Sequence, residues 1–240
     1  MATETVQYGG VLTGSTPEAA AKQAAQVAQL GLTQCKLKFG PQRATNLEML
    51  RAVQEVLGPT VALRADANAC WSVAEALAQI PVLYQAGIAW FEQPLPASPR
   101  ADYPALVAQL PPGPEIIVDE SLLSLADAQW MRQHAGAHRL QLKISKVGGL
   151  LPALAIGRWA QAQGMPIHLG CHVGESSLLS AAGRLFAACI PCDSVEGSYG
   201  TYLLQEDVTE QPLMFGAGGT APARYSPLPG WGLAWREAWR

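Results

Sequence analysis

Charge is scarce in this chain. Asp, Glu, Lys and Arg make up 15% of the 240 residues, against 49% apolar, and the net charge of −3 comes without a basic patch or a run of one sign. That balance excludes a disordered chain and argues against nucleic acid or an acidic membrane as a partner. No stretch approaches the eighteen or so apolar residues needed to span a bilayer. Met1 to Gln7 lacks the basic and apolar segments of a signal peptide, so the expected compartment is the cytoplasm. Five cysteines (Cys35, Cys70, Cys171, Cys189, Cys192) are an odd, scattered set and give no disulfide framework. Cys189 and Cys192 match C-x-x-C, but they follow a helix-like run, Ser176 to Ala188, instead of opening a helix, and read as small buried side chains. Low-complexity linkers are also missing.

Lys38, Asp66, Glu92, Asp119 and Lys143 recur at gaps of 28, 26, 27 and 24 residues, each at or near the end of a short apolar run. That interval fits one strand, one helix and two loops, the repeat of a parallel barrel. Eight strands are expected: Val6–Leu12, Gln34–Phe39, Val61–Asn68, Ile88–Glu92, Ile116–Glu120, Arg139–Ser145, Pro166–His172 and Ser194–Tyr199. Thr16-Pro17-Glu18 reads as a helix start, and Ser72 with Glu75 as a capping box. Gly148-Gly149 precedes a helix from Leu150 to Gln163. The expected fold is α/β, a parallel (β/α)7β TIM-type barrel over residues 1–204. Residues 205–240 form a tail rich in Gly and Pro, including Pro227 to Gly230. Trp231, Trp235 and Trp239 would share one stripe of a terminal helix, packed on the barrel or offered to a second copy of the chain.

Residues two apart share a face of a strand. The rule groups Lys36 with Lys38, Arg64 with Asp66 and Asn68, and Gln141 with Lys143 and Ser145. Asp66, Glu92 and Asp119 come from adjacent strands, and three neighbouring carboxylates need a cation. With oxygen ligands alone that ion is hard, Mg2+ or else Mn2+. The other reading is a salt-bridge network with Lys38 and Lys143. Lys38 and Lys143, on strands opposed in a closed barrel, suit removal of a proton α to a carboxylate and its return from the other side.

These residues resemble the enolase superfamily, and within it the muconate-lactonizing subgroup. Lys36-Leu37-Lys38 matches the subgroup's K-x-K, Asp66-Ala67-Asn68 its D-x-N, Glu92-Gln93-Pro94 its E-Q-P and Asp119-Glu120-Ser121 its D-E-S. Lys143 to Gly149 matches K-x-x-K-x-G-G. The resemblance covers about Gln34 to Gly200. It implies Lys38 and Lys143 as the acid/base pair, Mg2+ on Asp66, Glu92 and Asp119, and Lys36, Asn68 and Lys146 in support. The substrate is then a small carboxylate, and the reaction a cycloisomerisation, an epimerisation or racemisation, or an elimination.

Two departures qualify the resemblance. The first barrel strand starts near Val6, so the N-terminal capping domain of such enzymes is expected to be absent. On strand eight, Glu196-Gly197-Ser198 stands where dipeptide epimerases carry D-x-D. Glu175 corresponds to an acidic position on strand seven and, with Glu196 and His172, is expected to contact the substrate. His168 and His172 are expected on one face of that strand. Gly216 to Gly219 is expected to be a turn. The alternative reading is a non-catalytic or conditional barrel subunit whose lid comes from a separate capping chain.

Overall fold

Strand and helix alternate in the computed structural model, which describes residues 4–224 and 230–239. The elements are β1 (Thr5–Gln7), β2 (Gly10–Leu12), α1 (Pro17–Gln29), β3 (Gln34–Lys38), α2 (Arg43–Leu57), β4 (Ala62–Asp66), α3 (Val73–Gln85) and β5 (Trp90–Glu92). They continue with α4 (Asp102–Gln109), β6 (Glu115–Val118), α5 (Leu125–Gln133), β7 (Arg139–Leu142), α6 (Leu150–Ala162) and β8 (Ile167–Leu169). The last are α7 (Ser177–Cys189), β9 (Ser194–Val195), α8 (Gly200–Leu203) and β10 (Thr220–Pro222). β2 to β9 are the eight parallel strands and α1 to α7 fall between them, so the fold class is α/β, a (β/α)7β TIM-type barrel.

The chain forms two compact units. In the first, Gly9–Gln141, the strands pair in chain order from β2 to β7. Helix starts follow the local chemistry. Thr16 caps α1 through the Ala19 N–H with Pro17 in the first turn, and Ser72 with Glu75 closes the capping box on α3. Cys35 and Leu37 of β3 are buried, as are Ala24 and Val27 of α1 and Leu50 and Val53 of α2. Each large apolar side chain fully buried in this way contributes about 1.5–3 kcal/mol. Gly10 is a close-packed point: a Cβ there would lie 2.8 Å from Val27 Cγ2, so α1 sits against β2 only because that side chain is missing.

The second unit comprises the residues up to Tyr8 and those from Leu142 onward. β8 pairs with β9 in parallel, Gly170 N–H donates to Leu142 O, and β1 pairs antiparallel with β10. A small apolar cluster of Ala181, Leu213 and Leu233 packs against Leu178 and Trp235.

Several sequence expectations are corrected. Val6–Leu12 is not one strand: β1 ends at Gln7, and the parallel strand β2 begins at Gly10. β7 stops at Leu142 because Ile144 to Gly148 turn, so Ser145 does not share a strand face with Gln141. β8 stops at Leu169, which leaves His172 off the strand that carries His168. The terminal tryptophan helix is absent among the described residues. Trp231 lies in a turn, Trp235 bridges Thr209, and only a 3-10 turn covers Glu237–Trp239. Gly218, at φ 69°, gives the expected turn its left-handed residue. Pro227 and Pro229 of the tail lie outside the described residues.

Candidate active site

The charged residues of the first unit sit at strand ends. Lys38, Asp66 and Glu92 are the last residues of β3, β4 and β5, and the register pairs Lys38 with Asp66 and Asp66 with Glu92. Asp119 directly follows β6, two residues beyond Ile117, the partner of Glu92. One layer down, Lys36 pairs with Arg64. Parallel pairing keeps equivalent positions on one face, so three motifs distant in sequence become neighbours.

Burial decides how these groups behave. Asp66, Glu92 and Asp119 are at most 1% exposed, and Lys36 only 4%. Lys36 Nζ lies 2.7 Å from Glu92 Oε1 and 3.3 Å from Asp66 Oδ2, while Arg64 Nε is 3.7 Å from Glu92 Oε2. Lys36 and Arg64 thus bring positive charge to this pair of carboxylates. Lys38, which the alternative salt-bridge reading placed on the carboxylates, donates from Nζ to Asn68 Oδ1 at 2.8 Å. Buried carboxylates need such company, since an unpaired charge away from water is strongly destabilising.

The donor chemistry fits a hard divalent ion: three buried carboxylates from successive strand ends, all oxygen. The Lys36 ammonium, a stand-in cation on two of them, marks where positive charge is wanted. Among the described residues no three His, Cys, Asp or Glu side chains are gathered closely enough to hold a metal ion. With Lys36 seated as it is, side chains would have to shift for the three to close on one ion.

Two residues position this cluster: Gln93, which has no role in the sequence reading, and Asn68, expected as a supporting residue. Gln93, fully buried, accepts from the Asp119 N–H at 2.8 Å and the Ser121 N–H at 3.2 Å. Its amide donates to Ser121 Oγ at 2.7 Å and Leu95 O at 3.0 Å. The middle residue of E-Q-P thus holds the backbone of D-E-S. The available signal was a lone amide beside a strand-end glutamate. Asn68 adopts a left-handed φ of 43°, donates its backbone N–H to Asp66 Oδ1 at 3.0 Å, and extends its amide to Glu120 Oε1 at 3.4 Å.

In the second unit, half-buried Lys143 and Lys146 fall in the turn after β7, and the Lys146 N–H donates to Lys143 O. Glu175 and Glu196 line one cavity together with Tyr8, Ser180 and Ser198. Burial pushes the Glu175 carboxyl above its ordinary range. The His172 N–H, the Ser145 hydroxyl and Lys143 pull it back, and Glu196 adds to the rise. His172, with its side chain 53% exposed, meets Ser145 Oγ through Nδ1 at 2.9 Å. His168 is buried, its Nδ1 2.7 Å from Ser194 Oγ.

Arg184 escaped the sequence reading. It is buried in α7, with Nε 3.3 Å from the Tyr8 hydroxyl and Nη2 3.0 Å from Met214 O. A lone arginine inside an apolar helical run was the signal. The C-x-x-C cysteines are not bonded to each other, and burial raises the Cys192 thiol to about 12, the mark of an inert side chain.

Carboxylates at successive strand ends on a parallel α/β scaffold are the layout of a TIM-type barrel site. The chain belongs to the Enolase C-terminal domain-like family, whose profile matches residues 19–239, and within it to the muconate-lactonizing subgroup. It is 31% identical over 174 residues to the N-succinyl-L-Arg/Lys racemase of Bacillus cereus, covering 72% of this chain and 46% of that one. It is 32% identical over 182 residues to the chloromuconate cycloisomerase of Cupriavidus pinatubonensis, covering 75% of this chain and 48% of the relative. The fold matches the crystal structure of the Cytophaga hutchinsonii dipeptide epimerase, complexed with Mg and D-Ala-L-Val. There the TM-score is 0.86 at 24% identity, over 98% of this chain and 62% of that one. The chain spans about half the length of the curated relatives it matches. No helix among the described residues is long and apolar enough to cross a membrane.

Proposed function

We propose that this chain carries the chemistry of a Mg2+-dependent enzyme that removes a proton α to a carboxylate of a small-molecule substrate. The observation that carries this reading is the register of Lys38, Asp66 and Glu92 at the carboxyl ends of three adjacent strands. In barrels of this type those ends bear the chemistry.

Asp66, Glu92 and Asp119 would hold Mg2+, which when bound stabilises the negative charge that builds on the substrate carboxylate. Lys38 then acts as a base or acid at Nζ. Asn68 fixes that amine by accepting its hydrogen bond, which restricts the directions from which it can take a proton. Lys143 would be the second proton carrier, supported by its motif and by its position directly after a parallel strand. Lys36 and Lys146 are supporting residues. Glu175 and Glu196, which line one cavity, would contact the polar end of the substrate, with His172 beside Glu175.

Racemisation, cycloisomerisation and elimination all pass through this proton transfer, and the relatives include named racemases, epimerases and cycloisomerases. Fold does not choose among them. The test is deuterium uptake at Cα, with the purified chain and Mg2+, across a panel of dipeptides, N-acylated amino acids and muconates. Mg2+-dependent exchange from at least one member is expected. A protein that binds Mg2+ and exchanges none of them would overturn the reading.

A further inference from the structure

We propose that Lys36 is a resident counter-ion of the carboxylate cluster, which competes with the divalent ion for Asp66 and Glu92 and sets how tightly that ion is held. The inference rests on the reading of Asp66, Glu92 and Asp119 as a Mg2+ site. It adds a determinant of metal affinity that lies outside the three carboxylates.

The geometry is direct. Lys36 Nζ contacts one oxygen of each carboxylate, at 2.7 Å on Glu92 and 3.3 Å on Asp66. All three side chains are buried. Without a cation the two carboxylates would repel each other in a medium that screens poorly. The ammonium offsets that repulsion and holds the two side chains in place while no metal is bound.

A Mg2+ ion binds oxygen at about 2.0–2.1 Å and requires near-octahedral geometry. An ammonium on the same oxygens blocks part of that shell, and its charge repels the incoming dication at short range. Metal entry must then move Nζ off at least one carboxylate. Arg64 Nε, 3.7 Å from Glu92 Oε2, approaches the other oxygen of Glu92 and can remain. Lys36 thus exchanges ease of metal entry for a preformed, folded site.

The test is calorimetric titration of the full chain with Mg2+, comparing wild type, Lys36→Met and Lys36→Arg. Removing the charge should tighten Mg2+ binding about tenfold or more, while Lys36→Arg should bind no better than wild type. Thermal unfolding should show the reverse order without metal: Lys36→Met melts lowest and gains most on adding Mg2+. In wild type, the Lys36 side-chain 15N resonance should move with the same midpoint as the heat.

Equal or weaker binding by Lys36→Met, when wild type binds, overturns the competition and leaves the metal reading standing. A Lys36 resonance unmoved at saturating Mg2+ overturns it without any variant. Binding by Lys36→Met alone supports it in its strongest form. If neither protein takes up Mg2+, the metal reading falls, and this inference falls with it.

Discussion

Lys38 and Asn68 are joined by a 2.8 Å hydrogen bond from the ammonium to the side-chain carbonyl, between the ends of two adjacent parallel strands. Asn68 serves two neighbours with different atoms: its side chain holds Lys38, and its backbone N–H holds Asp66. Substitution can therefore separate them. Asn68→Ala keeps the N–H to Asp66 and loses the contact to Lys38. Mg2+ affinity should stay close to wild type while the rate of α-proton exchange falls about tenfold to a hundredfold, the usual effect of a misplaced reacting group. Parallel loss of both would show that Asn68 supports the loop as a whole.

Gln93 makes a prediction independent of any activity. Three of its four side-chain hydrogen bonds tie the residue after β5 to the segment after β6, and the fourth goes to Leu95 O. Gln93→Leu would leave the Asp119 and Ser121 N–H groups without their acceptor in a buried region. Unsatisfied groups of this kind cost about 1–3 kcal/mol each, so a loss of roughly 2–5 kcal/mol is expected in urea unfolding. A loss below about 1 kcal/mol would mean that water or a shifted backbone replaces the amide.

Much of this arrangement was legible beforehand. Lys38, Asp66 and Glu92 could be assigned to strand ends because parallel repeats have a fixed length and a period of two. Thr16, Ser72 and Gly149 announced their helices through local rules that need no tertiary contact. What stayed hidden depends on atoms meeting across the fold. No spacing indicates that Lys36, and not Lys38, bridges Asp66 and Glu92, because the choice is made by rotamers and by the amide of Asn68. The end of β8 was missed because the segment from Gly170 to Gly174 retains apolar alternation after the ladder has stopped. The terminal tryptophans misled because a spacing of four assumes a helix, whereas Trp235 takes a bridge to Thr209.

Glu175 predicts a pH dependence. Its carboxyl lies above the ordinary value of 4.5 in the folded protein, with burial the largest cause. A raised carboxyl means that the folded state binds its proton more tightly than the unfolded state. The associated stability is fully present below the unfolded value and is lost as pH rises through the folded one. Glu175→Gln removes that loss and keeps an oxygen for the His172 N–H and the Ser145 hydroxyl. The variant should be more stable than wild type at neutral pH, with the difference shrinking on acidification below the ordinary carboxylate range. Unfolding curves at several pH values would measure it, and a difference that does not vary with pH would remove Glu175 as its source.

The two lysines should divide the stereochemistry between them. If Lys38 and Lys143 each serve one configuration at Cα, then Lys143→Ala abolishes deuterium uptake from one enantiomer of a chiral substrate and spares the other. Lys38→Ala does the opposite. Mg2+ binding should survive in both, because neither lysine is among the three carboxylates assigned to the ion. Each loss should be at least a hundredfold, within the range that general acid/base groups supply. Exchange followed by mass spectrometry, with each enantiomer incubated separately in deuterated buffer, reads the two faces independently. Equal loss from both enantiomers in Lys143→Ala would make it a binding residue. Undiminished exchange of both would remove it from the mechanism and leave Lys38 as the only lysine base.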